Sequence, residues 1–209
     1  MGVEGAIEPL AAALGVTVWP MVRYEADDAL STAAARWGDR GDVEQVVIAS
    51  PDKDLCQCVR GDRVVLWDRR RDLWLDEAAV IAKHGVAPRS IPDLLALMGD
   101  AADGIPGIAR WGAKSTAAVL AEYGVIEAIP DDPGVWTVKV RGAKTLARNL
   151  AAQREDAMLY KRLATLVTDA PITEHLDDLA WRGAEPEEIR TLAQELGDDR
   201  LPERLFGSG

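Results

Sequence analysis

The sequence predicts an α/β protein, in which a mostly parallel sheet flanked by helices leads into a wholly helical region. Three observations carry that prediction. Short apolar runs alternate with helical periods over residues 1–90. One of them, Gln45–Ala49, is continuously apolar, as a strand buried on both faces of a parallel sheet would be. Beyond residue 90 the chain turns to glycine-started amphipathic helices with no further strand-like run.

Taken in order, Ala6–Leu14 reads as a short helix stopped by Gly15, and Val16–Trp19 as a short strand ended by Pro20. A helix then runs from the acids after Tyr24 to about Trp37. After the strand Gln45–Ala49 comes Ser50-Pro51-Asp52-Lys53-Asp54, at the carboxyl end where open α/β sheets bind ligands. Val64–Trp67 and Leu73–Leu75 are the arms of a hairpin whose turn holds Arg69, Arg70 and Arg71; an exposed turn explains them more simply than a phosphate contact. Asp76 caps a helix over Glu77–His84 that Gly85 ends. Ser90 and Pro92 start the next helix, which delivers Asp100. The segment from Leu97 to Gly124 follows: acids three apart, a turn rich in glycine, then Lys114 and a helix closed by Gly124. Val125–Ile129 is a helical turn, and Arg141-Gly142-Ala143-Lys144 repeats the glycine-plus-lysine start before a helix over Thr145–Gln153. Another spans Glu155–Val167. From Asp169 the chain is acidic and spaced by prolines, with one helix over Glu187–Leu196. The expected domains are 1–90, 91–170 and an acidic tail, 171–209.

The chain has 209 residues, enough for a full core, and a net charge of −11. It lacks a run of roughly 18 apolar residues, the length of a membrane span. Cys56 and Cys58 are too close for an ordinary disulfide and too few for a zinc set, so they are expected to be plain thiols. The acidic balance is unusual for a nucleic-acid binder. The stretch from Gly134 to Arg154 is nevertheless basic and carries no acid, which fits either a phosphate-binding face or a solvated helix face.

Seven acids gather at element ends: Glu25, Asp27 and Asp28; Asp52 and Asp54; Asp100 and Asp103. Acids in a first helical turn can simply favour the dipole, but three in four positions exceed what capping needs. A site built only of carboxylates selects hard cations, Mg²⁺ or Mn²⁺, over zinc. Two such ions can activate water and stabilise the leaving oxygen of a phosphodiester without a side-chain nucleophile.

Tyr24-Glu25-Ala26-Asp27-Asp28, then Asp52-Lys53-Asp54-Leu55, then Gly99-Asp100-Ala101-Ala102-Asp103-Gly104-Ile105-Pro106-Gly107, in this order, resemble the 5′-nuclease family of flap endonucleases and polymerase-attached 5′-3′ exonuclease domains. The similarity runs from about Gly15 to Pro171. The resemblance implies a PIN-like α/β core, then a helix-three-turn-helix that grips duplex DNA. It implies metal ligation by all seven acids, with Asp28, Asp52 and Asp54 central to catalysis. It also implies DNA contacts from the turn Gly107–Gly112, with Arg110, and from Lys114, and a potassium ion held by carbonyls of the turn; Ser115, Lys144 and Arg148 are expected to join these contacts. Duplex DNA with a 5′ end or 5′ flap is the implied partner, a DNA polymerase a second, in a bacterial, nucleoid-associated cytoplasmic setting with no membrane role.

The departures are as specific. Relatives start with a strand bearing an Asp ligand, a second early Asp and a helical arch rich in cations and aromatics, none of which precedes Gly15 here. Arg110 replaces the first glycine of the usual Gly-x-Gly turn, and Gly104 stands where many relatives have Asn. A fragment, a misassigned start and a short paralogue all fit this pattern, and weak or absent cleavage is expected of a chain that begins at Met1. The rival functions are a non-catalytic DNA-structure-binding module and a metal-dependent hydrolase of small phosphate esters.

Overall fold

The computed structural model describes Gly5 and residues 7–207. Two compact units divide the chain: Leu30–Ala170, and Met1–Ala29 together with Pro171–Gly209. Among the described residues no helix is long and apolar enough to cross a membrane.

In the unit Leu30–Ala170 the sheet has three strands, β1 (Val46–Ile48), β2 (Val64–Asp68) and β3 (Leu73–Leu75), in that order. β1 pairs parallel to β2, with Val46 opposite Val64, and β2 pairs antiparallel to β3, with Trp67 opposite Trp74. The sheet is therefore small and mixed, where the sequence led us to expect a mostly parallel one. The reason lies in the turn. Asp68 is buried, and its Oδ1 accepts from Arg70 N at 3.0 Å and Arg71 N at 3.2 Å. Four residues closed in this way can only reverse the chain, because a parallel return needs a crossover of a dozen or more. The Gln45–Ala49 run needs a second correction. β1 lies at the sheet edge and leaves Val47 41% exposed, so only one of its faces is buried.

Other elements fall where local chemistry puts them. The helix after the early acids is α2 (Ala26–Trp37), preceded in the chain by α1 (Ile7–Ala13). The expected first residue of α1, Ala6, lies outside the described residues. α3 spans Glu77–His84; Asp76 caps it by accepting from Ala79 N at 2.7 Å, and Gly85 ends it in the left-handed conformation. α4 (Ile91–Met98) is buried along almost its whole length and packs on α7 (Arg154–Ala164) and α5 (Ala113–Tyr123). Together with α6 (Ala143–Ala152), these helices and the sheet bury one apolar core. α7 stops short of the expected Val167 because Gln57 takes over its last backbone groups: Nε2 donates to Ala164 O at 3.0 Å, and Oε1 accepts from Leu166 N at 2.9 Å.

Inside that core, Asp93 of α4 is only 1% exposed. Its Oδ1 receives Ile126 N at 2.8 Å and Lys161 Nζ at 2.9 Å, and the same ammonium reaches Glu127 Oε2 at 2.7 Å. Trp111 packs there too, its Nε1 donating to Leu146 O at 3.1 Å, and is unavailable for stacking on a ligand.

In the other unit, the expected strand Val16–Trp19 is irregular. Side chains hold it instead: Trp19 Nε1 donates to Glu174 Oε2 at 3.0 Å and Thr17 Oγ1 to Asp178 O at 3.4 Å. With no β partner among the described residues, four extended residues do not make a strand. The acidic C-terminal segment holds α8 (Pro186–Leu196), packed on α1, and a further helix, α9 (Leu201–Phe206), that the periodicity did not suggest. Glu185 N donates to Ala13 O at 2.8 Å and Trp181 Nε1 to Leu14 O at 2.8 Å, so this segment is stitched to α1 rather than trailing free.

Candidate metal centre and basic groove

The acid-bearing turn after α4 is closed by its own backbone. Asp100 N donates to Ile105 O and Ile105 N to Asp100 O, each at 2.8 Å. Asp100 Oδ1 accepts from Ala102 N at 3.1 Å, which tightens the loop and turns Asp103 back toward Asp100. The chain then doubles back over the end of α4, with Ile108 N donating to Leu97 O at 2.8 Å. At this crossing Gly107 has φ +73, and a Cβ there would lie 2.5 Å from Gly99 N and 2.6 Å from Met98 C. Only glycine lets the two strands of backbone approach so closely.

The loop after β1 supplies the other acids. Asp52 Oδ1 accepts from Asp54 N at 2.9 Å, fixing the start of the 3-10 turn Asp54–Cys58, whose Leu55, Cys56 and Cys58 anchor it in the core. The turn thereby aims Asp54 at the Asp100 loop. One carboxylate oxygen from each of Asp54, Asp100 and Asp103 lies within 4.8 Å of the others.

This cluster is electrostatically unfinished. Asp54 Oδ1 and Asp100 Oδ2 are buried and accept no hydrogen bond. Lys53 Nζ forms an ion pair with Asp100 Oδ2, without hydrogen-bond alignment, and stands 3.5 Å from Asp54 Oδ1. Burial pushes the Asp54 carboxyl up to about 6; Lys53 opposes this, while Asp52, Asp103 and Asp100 add to it. Burial also works against ionisation of Asp100, yet the Lys53 ammonium and the Ala102 N–H hold its carboxyl below the usual range. Orphaned, buried, hard oxygen donors held near one point are what a divalent cation needs.

The remaining expected ligands stand elsewhere in the chain. Asp52 is exposed and serves the backbone of Asp54. Glu25, Asp27 and Asp28 lie at the start of α2, in the unit that holds Met1–Ala29; there Asp28 Oδ2 accepts from Glu25 N at 3.1 Å. Cys56 is buried, its thiol pushed up to about 11 by that burial, and it faces His84 Nε2 at 3.8 Å. Neither is a reactive group.

A second feature lies between the starts of α5 and α6. Residues at the starts of the two helices line one open groove of about 920 Å³, bordered by Arg110, Lys114, Lys139 and Arg141 and by no acid. Ser115 caps α5, its Oγ accepting from Gly112 N at 3.3 Å. Two helix N-termini and four cations favour an anion with repeating charge. Arg110 has φ +74, so an arginine here adopts the backbone that glycine takes most readily. Of the expected contacts, Arg110, Gly112, Lys114 and Ser115 line the groove. Gly107 serves the backbone crossing, and Lys144 and Arg148 are exposed but do not line it. Lys139 and Arg141 take that place. Their membership of the acid-free run was the sequence signal that could have singled them out. Arg154 of that run is structural, its guanidinium donating to Ile126 O and Ile129 O, both at 3.0 Å.

Comparison with known proteins places the chain in a family. Residues 5–85 match the model of the 5′-3′ exonuclease N-terminal resolvase-like domain, and residues 86–187 that of the 5′-3′ exonuclease C-terminal SAM fold. DNA polymerase I of Bacillus caldotenax is 32% identical over 202 residues, which is 95% of this chain and 22% of the relative. DNA polymerase I of Mycobacterium tuberculosis (strain H37Rv) is 34% identical over 197 residues, 93% of this chain and 21% of the relative. The chain thus spans about a fifth of the length of these curated relatives. Among solved structures, bacteriophage T5 5′-exonuclease with bound zinc aligns with a TM-score of 0.57 at 20% identity, over 90% of this chain and 60% of that one. A T5 flap endonuclease complex with DNA and metal ions aligns with a TM-score of 0.56 at 18% identity, over the same shares. With both halves matched in order, the chain belongs to the 5′-3′ exonuclease family.

Proposed function

We propose that this chain is a metal-dependent 5′-3′ exonuclease or flap endonuclease that hydrolyses DNA phosphodiesters by a two-metal mechanism in replication or repair. The observation that carries the reading is the group Asp54, Asp100 and Asp103, with its buried oxygens that accept no hydrogen bond. Mg²⁺ or Mn²⁺ suits these all-oxygen donors. When bound, such ions activate a water and stabilise the departing oxygen of the phosphodiester. Asp54, Asp100 and Asp103 would hold them, and Asp52 keeps Asp54 in place through its backbone N–H. Glu25, Asp27 and Asp28 enter the reading through the motif at Tyr24–Asp28 alone, with Asp28 counted among the catalytic acids.

The basic groove supports a duplex backbone as the ligand, bound with salt dependence and little sequence preference. The segment from Asp100 to Gly112 joins cluster to groove within one compact unit, so metal and DNA contacts are made by adjacent parts of the chain. A potassium ion in the turn Gly107–Gly112 belongs to the reading as well, since Arg110 keeps the glycine-like backbone there. A polymerase is the natural partner, because the curated relatives are DNA polymerases.

The test is incubation of the chain with a labelled 5′-flap duplex and Mg²⁺ or Mn²⁺, beside Asp54→Ala. Metal-dependent cleavage, even if weak, that the substitution abolishes is the expected result. Flap binding without cleavage in either protein would replace the enzyme reading with that of a DNA-structure-binding chain.

A further inference from the structure

We propose that Lys53 is a tethered counter-ion: its ammonium occupies the carboxylate cluster until a divalent cation displaces it, and so sets the metal concentration at which the site fills. The proposal rests on the metal-binding reading above and concerns a residue to which neither the motifs nor the comparisons assign a role.

The geometry is that of competition for the same atoms. Lys53 Nζ pairs with Asp100 Oδ2 and stands 3.5 Å from Asp54 Oδ1. These are the two buried cluster oxygens left without a hydrogen bond, and hence the ones with lone pairs to offer a metal. An ammonium at this place and a divalent cation on the same oxygens would stand within a few ångströms as like charges in a half-buried setting. They exclude one another.

Lys53 is also free to leave. Its side chain is 40% exposed, against 7% for Asp100, and its only ion-pair partners among the described residues are Asp54 and Asp100. The backbone at Lys53 is fixed by the 3-10 turn that follows, so the long side chain can swing into water without disturbing the acids. The chain thus carries a cation that screens three converging carboxylates before metal arrives. Once displaced, that ammonium stays tethered beside the loaded cluster and can meet an approaching phosphate as a point charge.

The experiment is a titration of the full chain with Mn²⁺ in the absence of DNA, read by the loss of the free-ion electron paramagnetic resonance signal. Wild type, Lys53→Met and Lys53→Gln are compared, and the melting temperature of each is recorded with and without metal. Removing the competitor should tighten Mn²⁺ binding about tenfold or more. Both substitutions should lower the melting temperature of the metal-free protein and leave that of the Mn²⁺-saturated protein close to wild type. Equal or weaker Mn²⁺ binding in both variants overturns the role of Lys53 while leaving the metal centre standing. Absence of Mn²⁺ binding in all three proteins overturns the metal centre itself. The glutamine variant keeps a polar side chain of similar reach, so a misfolded methionine variant would not decide the matter.

Discussion

Two places in the unit Leu30–Ala170 pair a lysine with buried carboxylates, and they have opposite characters. At Asp93, Lys161 is 20% exposed and bridges two acids at 2.9 and 2.7 Å; with Ile126 N it serves Oδ1, while Oδ2 is buried without a hydrogen bond. At the Asp54–Asp100–Asp103 cluster, Lys53 is twice as exposed, faces three acids, and leaves two buried oxygens without hydrogen bonds. The first site is a fastener between α4, the turn at Ile126–Ala128 and α7. The second is a concentration of negative charge that the fold holds open at a cost. A buried oxygen without a hydrogen bond occurs at both sites; what separates them is the convergence of three carboxylates around one half-exposed ammonium at the cluster.

The largest effect is expected where the fastener is broken. Lys161→Met leaves Asp93 buried without its cation and should cost about 3 kcal/mol, measured by urea unfolding, with no rescue by Mn²⁺. If the loss were restored by metal, the two sites would not be distinct in kind. Gly107→Ala attacks the other side of the comparison. Its Cβ would meet the backbone of Met98 and Gly99, and the left-handed φ adds strain, for a loss of about 2–3 kcal/mol. Mn²⁺ affinity should fall with it, because the Asp100 loop is held against α4 by that crossing.

A change of opposite sign is expected at Asp54. Its carboxyl is raised to about 6, so ionising it opposes folding. The stability it contributes is fully present below the ordinary aspartate value of 3.8 and is lost as pH rises through about 6. Asp54→Asn should remove that loss and stabilise the metal-free chain at neutral pH by about 1 kcal/mol. The difference from wild type should vanish near pH 4. A variant less stable than wild type at pH 7 without metal would mean that the cluster is a fastener after all.

The smallest effect on stability should come from the groove. Lys139→Gln with Arg141→Gln alters only exposed side chains and should leave the melting temperature within a degree or two. Duplex affinity should nevertheless drop, and the slope of log affinity against log salt should shrink by about 2. An unchanged slope would remove these two residues from the proposed DNA-binding face.

What the sequence made legible was local. α3 was readable because Asp76 and Gly85 write its ends into four or five neighbouring residues. The order of the three acid motifs was readable for the same reason. The hairpin of β2 and β3 was readable from its charged turn, but pairing between distant segments was not: β1 as an edge and Val16–Trp19 as a non-strand depend on which partner lies alongside. Charge runs hid a similar ambiguity. Arg154 and Lys139 belong to one basic stretch, yet one ties down backbone carbonyls and the other lines an open groove. Lys53 stood in plain view between two acids, but spacing alone gave no hint that its ammonium reaches Asp100, forty-seven positions on.

The most direct measurement is diffraction from crystals soaked in Mn²⁺, using the anomalous signal of the ion. A peak at coordination distance from Asp54, Asp100 and Asp103, with Lys53 turned away from Asp100, is the predicted result. Crystals that bind Mn²⁺ elsewhere, with Lys53 still seated on the acids, would contradict the assignment of this cluster as a metal centre.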